Sequence, residues 1–323
     1  MENMATARRY TDETLLRIQR DLSAMVRDGT SGSVQTIEVV DPDVSAAHYA
    51  GELVEVGGQL CRYRGLAVWV ELAQVLGCTL GTPERLPDGF VRLSFRVRDA
   101  EASWHKRSAP SGDVEKYGAH TDFGRIDKFE DPSFVDCYLD SLRFLSVPEG
   151  ARILSLGVNT GAELGVFSAL HTDEALSKME LIGIDHSASA IEEARRRYTH
   201  PAFRFEVADL SAPGTLDFGR FDLVIAINTL HSPALDGQGI FRRVVAEHLT
   251  PRGGVILGFP NARYVDHALV YGAKVKNYRR PELSVLLKEA TYYKRYLHQH
   301  KFQVTVTGKH TLLLTARPIG GAR

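Results

Sequence analysis

The chain has 323 residues, with 39 Lys and Arg against 40 Asp and Glu, and is 44% hydrophobic and 24% charged. Those proportions describe a globular protein of roughly two domains with ample chain for a buried core, and no apolar run approaches the ~20 residues of a membrane helix. The polar start through Arg9 lacks an apolar signal core. Cys61, Cys78 and Cys137 are odd in number and far apart, which excludes a disulfide scaffold and any Cys-x-x-Cys knuckle. A reducing, cytoplasmic location is therefore expected. The near-zero net charge hides an asymmetry. Residues 1–150 hold 17 basic and 24 acidic residues, residues 151–323 hold 22 and 16, and residues 261–301 alone hold 9 and 3.

In chain order, Tyr10–Asp28 has apolar residues near helical spacing and predicts an amphipathic helix, closed by Gly29-Thr30-Ser31-Gly32-Ser33. Val34–Val40 predicts a strand, Tyr63–Cys78 a helix and Phe90–Val97 a half-buried strand. Ala109–Gly124 reads as a linker or lid, and Ser133–Leu145 as a helix. From Ala151 strands alternate with helices: strand Ala151–Leu156, helix Ala162–Leu170, strand Glu180–Asp185, helix Ser187–Tyr198, strand Ala202–Val207, strand Phe221–Ile227, helix Gly237–Leu249, strand Gly254–Phe259. Such alternation predicts a parallel sheet covered on both faces. Helix Ser284–His300 follows, then strands Phe302–Thr307 and His310–Ala316 joined by a turn at Gly308-Lys309. The expected fold is thus α/β: a doubly wound, mostly parallel Rossmann-like sheet ending in an antiparallel hairpin, over residues 116–323. An N-terminal α+β domain, for substrate recognition or an accessory role, is expected over 1–115.

Ligands of open parallel sheets bind at the carboxyl ends of the strands. There the first strand runs into Ser155-Leu156-Gly157-Val158-Asn159-Thr160-Gly161, where Gly157 and Gly161 allow close backbone approach. The second strand ends at Asp185, placed to accept from two ribose hydroxyls; the alternative is a helix cap, a role open to Ser187. Asp209 follows the third strand, placed to accept from an exocyclic amine, or else serving as a turn residue.

Together with the terminal hairpin, this constellation resembles the class I S-adenosylmethionine-dependent methyltransferases over about residues 150–317. The N-terminal part resembles no named family. The resemblance implies S-adenosyl-L-methionine as cofactor, with the glycine loop at its methionine portion, the acid at 185 at its ribose and the acid at 209 near its adenine. The cofactor-binding residues it implies are Ser155, Gly157, Asn159, Gly161, Glu163, Asp185, His186, Asp209, Leu210 and Asn228. Two positions depart from the family pattern: Ser155 stands where an acid is usual, and Asn159 where a second glycine is usual. Glu163, at the start of the next helix, is the candidate to restore the missing charge; its alternative role is to complement the helix N-terminus.

Methyl transfer is an in-line displacement, for which a protein supplies alignment, desolvation and, for some acceptors, a base. His231, in Asn228-Thr229-Leu230-His231 after the fourth strand, is the candidate base; the alternative is a polar loop histidine. Asn228 and Asn261 are further candidates beside the acceptor, and Asn261 also suits a turn. The run lacks the Asn-Pro-Pro-aromatic pattern of amino-methylating DNA enzymes. The long connection 261–283 forms a basic, tyrosine-rich insert with Arg263, Lys274, Lys276, Arg279 and Arg280, and with Lys288, Lys294, Arg295 and Lys301 beyond it. Tyr264, Tyr271, Tyr278, Tyr292, Tyr293 and Tyr296 are interleaved. Such residues can grip RNA, or be a solvated face with core tyrosines. His298, His300 and His310 lack a carboxylate or cysteine at ligand spacing, so no metal is expected. Tyr117, His120 and Phe123 are candidates to fold over the cofactor. The expected function is methyl transfer to a small or medium-sized acceptor. The alternatives are RNA methylation, a catalytically silent cofactor-binding module, and an NAD-dependent oxidoreductase; the last is disfavoured by the hairpin and by Asn159. No membrane partner is expected, and the sequence assigns no oligomeric state.

Overall fold

The computed structural model describes residues 7–43, 47–99, 101–102, 118, 121–212, 214–271 and 286–320. The chain forms two compact units, Met1–Lys106 with Tyr264–Val270, and Arg107–Arg263 with Tyr271–Arg323.

In the first unit, β1 (Arg8–Arg9) pairs in parallel with β2 (Val34–Val40), and α1 (Leu15–Asp28) lies between them in sequence. The helix starts later than its apolar spacing predicts. Tyr10 N–H instead donates to Glu38 O at 2.8 Å, extending the ladder, and Thr14 caps the helix. Then come a hairpin, β3 (Leu53–Val56) and β4 (Gln59–Arg62), α2 (Leu66–Val75), and strands β5 (Cys78–Leu80), β6 (Glu84–Arg85) and β7 (Phe90–Val97). The β3–β4 hairpin was not anticipated, although Gly57-Gly58, with φ of 58° and 76°, suits a two-residue turn. The helix expected over Tyr63–Cys78 is shorter because Gly77 turns left-handed (φ 72°) and Cys78 pairs with Val97. The sheet order is β1-β2-β7-β5, with β6 also on β7. Its period-2 face of Ile37, Val39, Val91, Leu93 and Phe95 packs on Ile18, Leu22, Trp69 and Leu72. A second hairpin, β13 (Ala262–Val265) and β14 (Ala268–Tyr271), turns at Asp266-His267, both with positive φ. Asp266 accepts from Arg96 at 2.9 Å.

The second unit opens with 3-10 turns Phe123–Arg125 and Lys128–Glu130. The elements α3 (Pro132–Leu145), β8 (Arg152–Leu156), α4 (Ala162–Leu170), α5 (Asp173–Leu176), β9 (Glu180–Asp185), α6 (Ala188–Arg197), β10 (Phe203–Val207) and β11 (Phe221–Ile227) follow. Next are α7 (Gly237–Arg243), a π turn Val244–His248, β12 (Leu249–Pro260), α8 (Leu286–Gln299), β15 (Phe302–Gly308) and β16 (Thr311–Pro318). The seven-stranded order is β10-β9-β8-β11-β12-β16-β15. The first five strands run parallel, and β16 inserts antiparallel between β12 and β15. The fold is therefore the α/β, mostly parallel sheet with a terminal antiparallel hairpin that the sequence predicts. Two details differ. Gly308 is not part of the hairpin turn, because it still pairs with Leu312. The helix expected over Gly237–Leu249 gives way to the π turn, and Leu249 already pairs with Phe221.

Alternate strand residues feed two cores, which is why the strands read as continuous apolar runs. Ile153, Leu181, Leu223 and Ile225 face α3, α4 and α6. Leu154, Ile182, Val224 and Leu257 face α7 and α8. The order reverses at β8, whose neighbours are β9 and β11, so the topological switch point lies at the carboxyl end of β8. Phe241 is fully buried and meets Tyr293 edge-on at 4.9 Å and Tyr296 at 5.6 Å. Phe241→Ala is expected to lower the unfolding free energy by about 3–5 kcal/mol. Urea denaturation measures this, and a loss under about 1 kcal/mol would contradict the packing described.

Candidate active site

At the switch point the chain leaves β8 through three left-handed residues, Gly157 (φ 68°), Asn159 (49°) and Gly161 (86°). Asn159 tolerates this geometry better than most side chains. The N–H groups of Gly157 and Val158 donate to Ile184 O at 2.9 and 3.0 Å, which stitches the turn to β9. Both glycines admit protein side chains. A Cβ on Gly157 would strike Thr229, whose hydroxyl donates to Leu156 O at 2.8 Å. A Cβ on Gly161 would lie 2.9 Å from the Tyr198 ring.

Asp185, at the tip of β9, is buried and accepts from the turn. Asn159 N–H donates to Oδ2 and Ser187 N–H to Oδ1, each at 2.9 Å. His186 Nδ1 stands 3.3 Å from Oδ1. Burial opposes ionisation, but His186 and the two amides outweigh it and hold the carboxyl below the usual range. Ser187 caps α6 through Ala190 N–H at 3.3 Å, as the sequence suggests, although Asp185 is engaged at the same turn.

Asp209 is exposed beyond β10. Its Oδ1 accepts from the N–H and hydroxyl of Ser211 at 2.8 and 2.7 Å, which lowers its pKa, and His186 adds a weaker pull. The imidazole of His186 thus acts on both carboxylates, and Ala208 N–H donates to Asp185 O at 2.8 Å across the two strand ends. Leu210 is buried in the core beside α7.

Ser155 and Glu163 are buried on the elements that flank the turn, β8 and α4. Lys128 Nζ pairs with Glu163 Oε1 at 2.6 Å. Glu163 Oε2, Ser155 Oγ and His231 Nδ1 are buried polar atoms without a hydrogen-bond partner. Burial drives the His231 pKa down from 6.5 to about 4, so the ring is neutral near pH 7. Asn228 is exposed and left-handed (φ 57°), with its N–H on Gly258 O. Asn261 is tied to the hairpin turn, its N–H on His310 O at 2.8 Å and its side-chain amide on Lys309 O at 2.9 Å. The Nδ1 atom of His310 lies 2.9 Å from Asp131 Oδ2. Among the described residues, no group of three or more His, Cys, Asp or Glu could hold a metal ion, and no helix is long and apolar enough to cross a membrane. Tyr117, His120, Lys274, Lys276, Tyr278, Arg279 and Arg280 lie outside the described residues. Tyr293 is fully buried, and Tyr292 and Tyr296 pack on the same core.

The sequence did not point to Lys128 or to the covering role of Thr229. Lys128 lies 35 residues from its partner, beyond any local motif. Thr229 adjoins Asn228 and lies close before His231, but nothing in its spacing links it to Gly157.

Residues 153–253 match a family model described as a methyltransferase domain. No curated protein matches the chain. Among solved structures, the chain resembles a SAM-dependent methyltransferase from Aquifex aeolicus at 16% identity, covering 59% of this chain and 96% of that one, with a TM-score of 0.41. It also resembles an S-adenosylmethionine-dependent methyltransferase from Mesorhizobium loti (19% identity, 58% and 99% covered, TM-score 0.40). A third is the 1,6-didemethyltoxoflavin-N1-methyltransferase of Burkholderia thailandensis (20% identity, 61% and 83% covered, TM-score 0.37). The methyltransferase-domain match runs from β8 into β12, through the strand tips that carry Asp185 and Asp209.

Proposed function

We propose that the enzyme methylates a small or medium-sized acceptor, with Asp185 at the cofactor's ribose and Glu163 at its ammonium. When bound, S-adenosylmethionine supplies a methyl group activated on a sulfonium. The residues fit that group: two unpartnered buried atoms, Glu163 Oε2 and Ser155 Oγ, offer an acidic and a polar contact for a cationic ligand. Asp209 and His186 complete the nucleoside side in this reading, with Gly157, Asn159 and Gly161 shaping the loop. Leu210 serves through the core behind it.

The acceptor side is given to His231, Asn228 and Asn261. A neutral His231 places no positive charge beside a sulfonium. So low a proton affinity suits orientation of the acceptor by hydrogen bonding better than proton storage. The N-terminal unit is assigned an accessory or substrate-recognition role.

The observation that favours a small acceptor over RNA is the fate of the tyrosines. Tyr292, Tyr293 and Tyr296, half of those interleaved with the basic residues, are committed to the core with Phe241 and Phe259. They are spent on packing rather than on stacking bases. RNA methylation keeps the support of the local basic charge over 261–301.

Titration calorimetry is expected to show saturable S-adenosylhomocysteine binding and none for NAD; the reverse would overturn the cofactor assignment. Asp185→Ala is expected to weaken that binding roughly tenfold to hundredfold, the worth of lost hydrogen bonds to a charged group, with circular dichroism unchanged. Unchanged affinity would remove its ribose role. RNA binding is expected to be absent or insensitive to salt, whereas a steep fall with log salt concentration would favour the RNA reading. Finally, the folded His231 resists protonation while the unfolded chain accepts it, so stability falls as pH drops from about 6.5 towards 4. His231→Gln is expected to show a shallower loss over that window in urea titrations, and an identical slope would contradict the buried, neutral imidazole.

A further inference from the structure

Glu163 is 1% exposed, yet only one of its carboxylate oxygens is engaged. A buried carboxylate oxygen without a donor is costly, as is the buried hydroxyl of Ser155. The cation on the other oxygen is held by structure. Lys128 opens the 3-10 turn Lys128–Glu130, where Asp127 Oδ1 accepts from Phe129 N–H at 2.9 Å. The Phe129 ring meets Phe134 and Tyr138 edge-on at 5.1 and 5.4 Å, and Tyr138 in turn donates to Glu163 O at 3.0 Å. The turn that presents Lys128 and the helix end that presents Glu163 are therefore packed through the same aromatic cluster. Lys128 reaches Oε1 and leaves Oε2 unspent.

We propose that Lys128 is a positioning residue that holds Glu163 by Oε1 and leaves its second oxygen to the ammonium of the cofactor, so that a lysine–glutamate pair replaces the acid that Ser155 does not provide. The inference rests on the proposed cofactor contact of Glu163. The charged and titratable groups that face Glu163 among the described residues are Lys128, Tyr138 and Tyr198, with Asp127 acting on Tyr198. Burial raises both phenols, so they stay neutral, and Lys128 is the cation in that group. Without it, the buried carboxylate loses the cation that holds Oε1, and nothing fixes the direction of Oε2.

The test compares two probes by calorimetry. S-adenosylhomocysteine carries the ammonium, and methylthioadenosine has the same nucleoside and sulfur without it. Lys128→Met is expected to weaken S-adenosylhomocysteine binding about tenfold at neutral pH and to leave methylthioadenosine binding within about twofold. Lys128→Arg is expected to restore the first. Glu163→Gln is expected to bring the affinities of the two probes together. Thermal unfolding establishes that each variant is folded, and Lys128→Gln is read in the same way should Lys128→Met not fold. Equal losses for both probes in a folded variant, or no loss for either, would overturn the positioning role. If the wild type binds neither probe, the cofactor reading itself fails, which is a separate result.

Discussion

The site depends on one carboxylate held in place by backbone. Asp185 receives one amide from the turn after β8 and one from the start of α6, so a single side chain joins two adjacent strand ends. That arrangement needs a turn whose N–H at residue 159 points back at β9, and the turn with left-handed residues 157, 159 and 161 provides it. Those dihedrals are admitted by two glycines and an asparagine. The charge is retained in a buried position because the amides and His186 offset its desolvation. Removing the turn would leave a buried acid short of donors, and removing the acid would leave amides short of an acceptor.

The same economy governs the glycines. In the family-like reading they serve ligand approach, but the protein itself uses the space. Thr229 covers Gly157 from the end of β11, and Tyr198 covers Gly161 from the end of α6. The loop is thereby clamped by the neighbouring strand and helix, which fits a preorganised site. Eight buried side-chain polar atoms among the described residues have no hydrogen-bond partner. Three of them, on Ser155, Glu163 and His231, belong to residues that the strand-tip argument singles out.

How much of the fold and the site is legible in the sequence depends on whether the signal is local. Val34–Val40, Phe90–Val97, Glu180–Asp185 and Phe221–Ile227 have the expected bounds, because alternation or a continuous apolar run reports burial directly. Asp185 was readable as an acid at a strand tip. Its bond to Asn159 was not, since it depends on a turn geometry that Asn159 only permits. The start of α1 was displaced because Tyr10 continues a ladder with Glu38, a tertiary event that periodicity cannot report. The π turn after Arg243 and the pairing of Leu249 are similar. Lys128 and Thr229 gain their roles through contacts across 35 and 72 residues, to Glu163 and Gly157, and nothing in their immediate neighbours marks them.

The central claim is that the backbone from Gly157 to Gly161 and the carboxylate of Asp185 form one cofactor-binding crevice. Amide hydrogen exchange with and without S-adenosylhomocysteine tests it most directly. The account predicts slowed exchange at residues 157–161 and 185–187, with a smaller effect at 209–211. Saturable binding that leaves those amides unchanged, and slows exchange elsewhere, would contradict it.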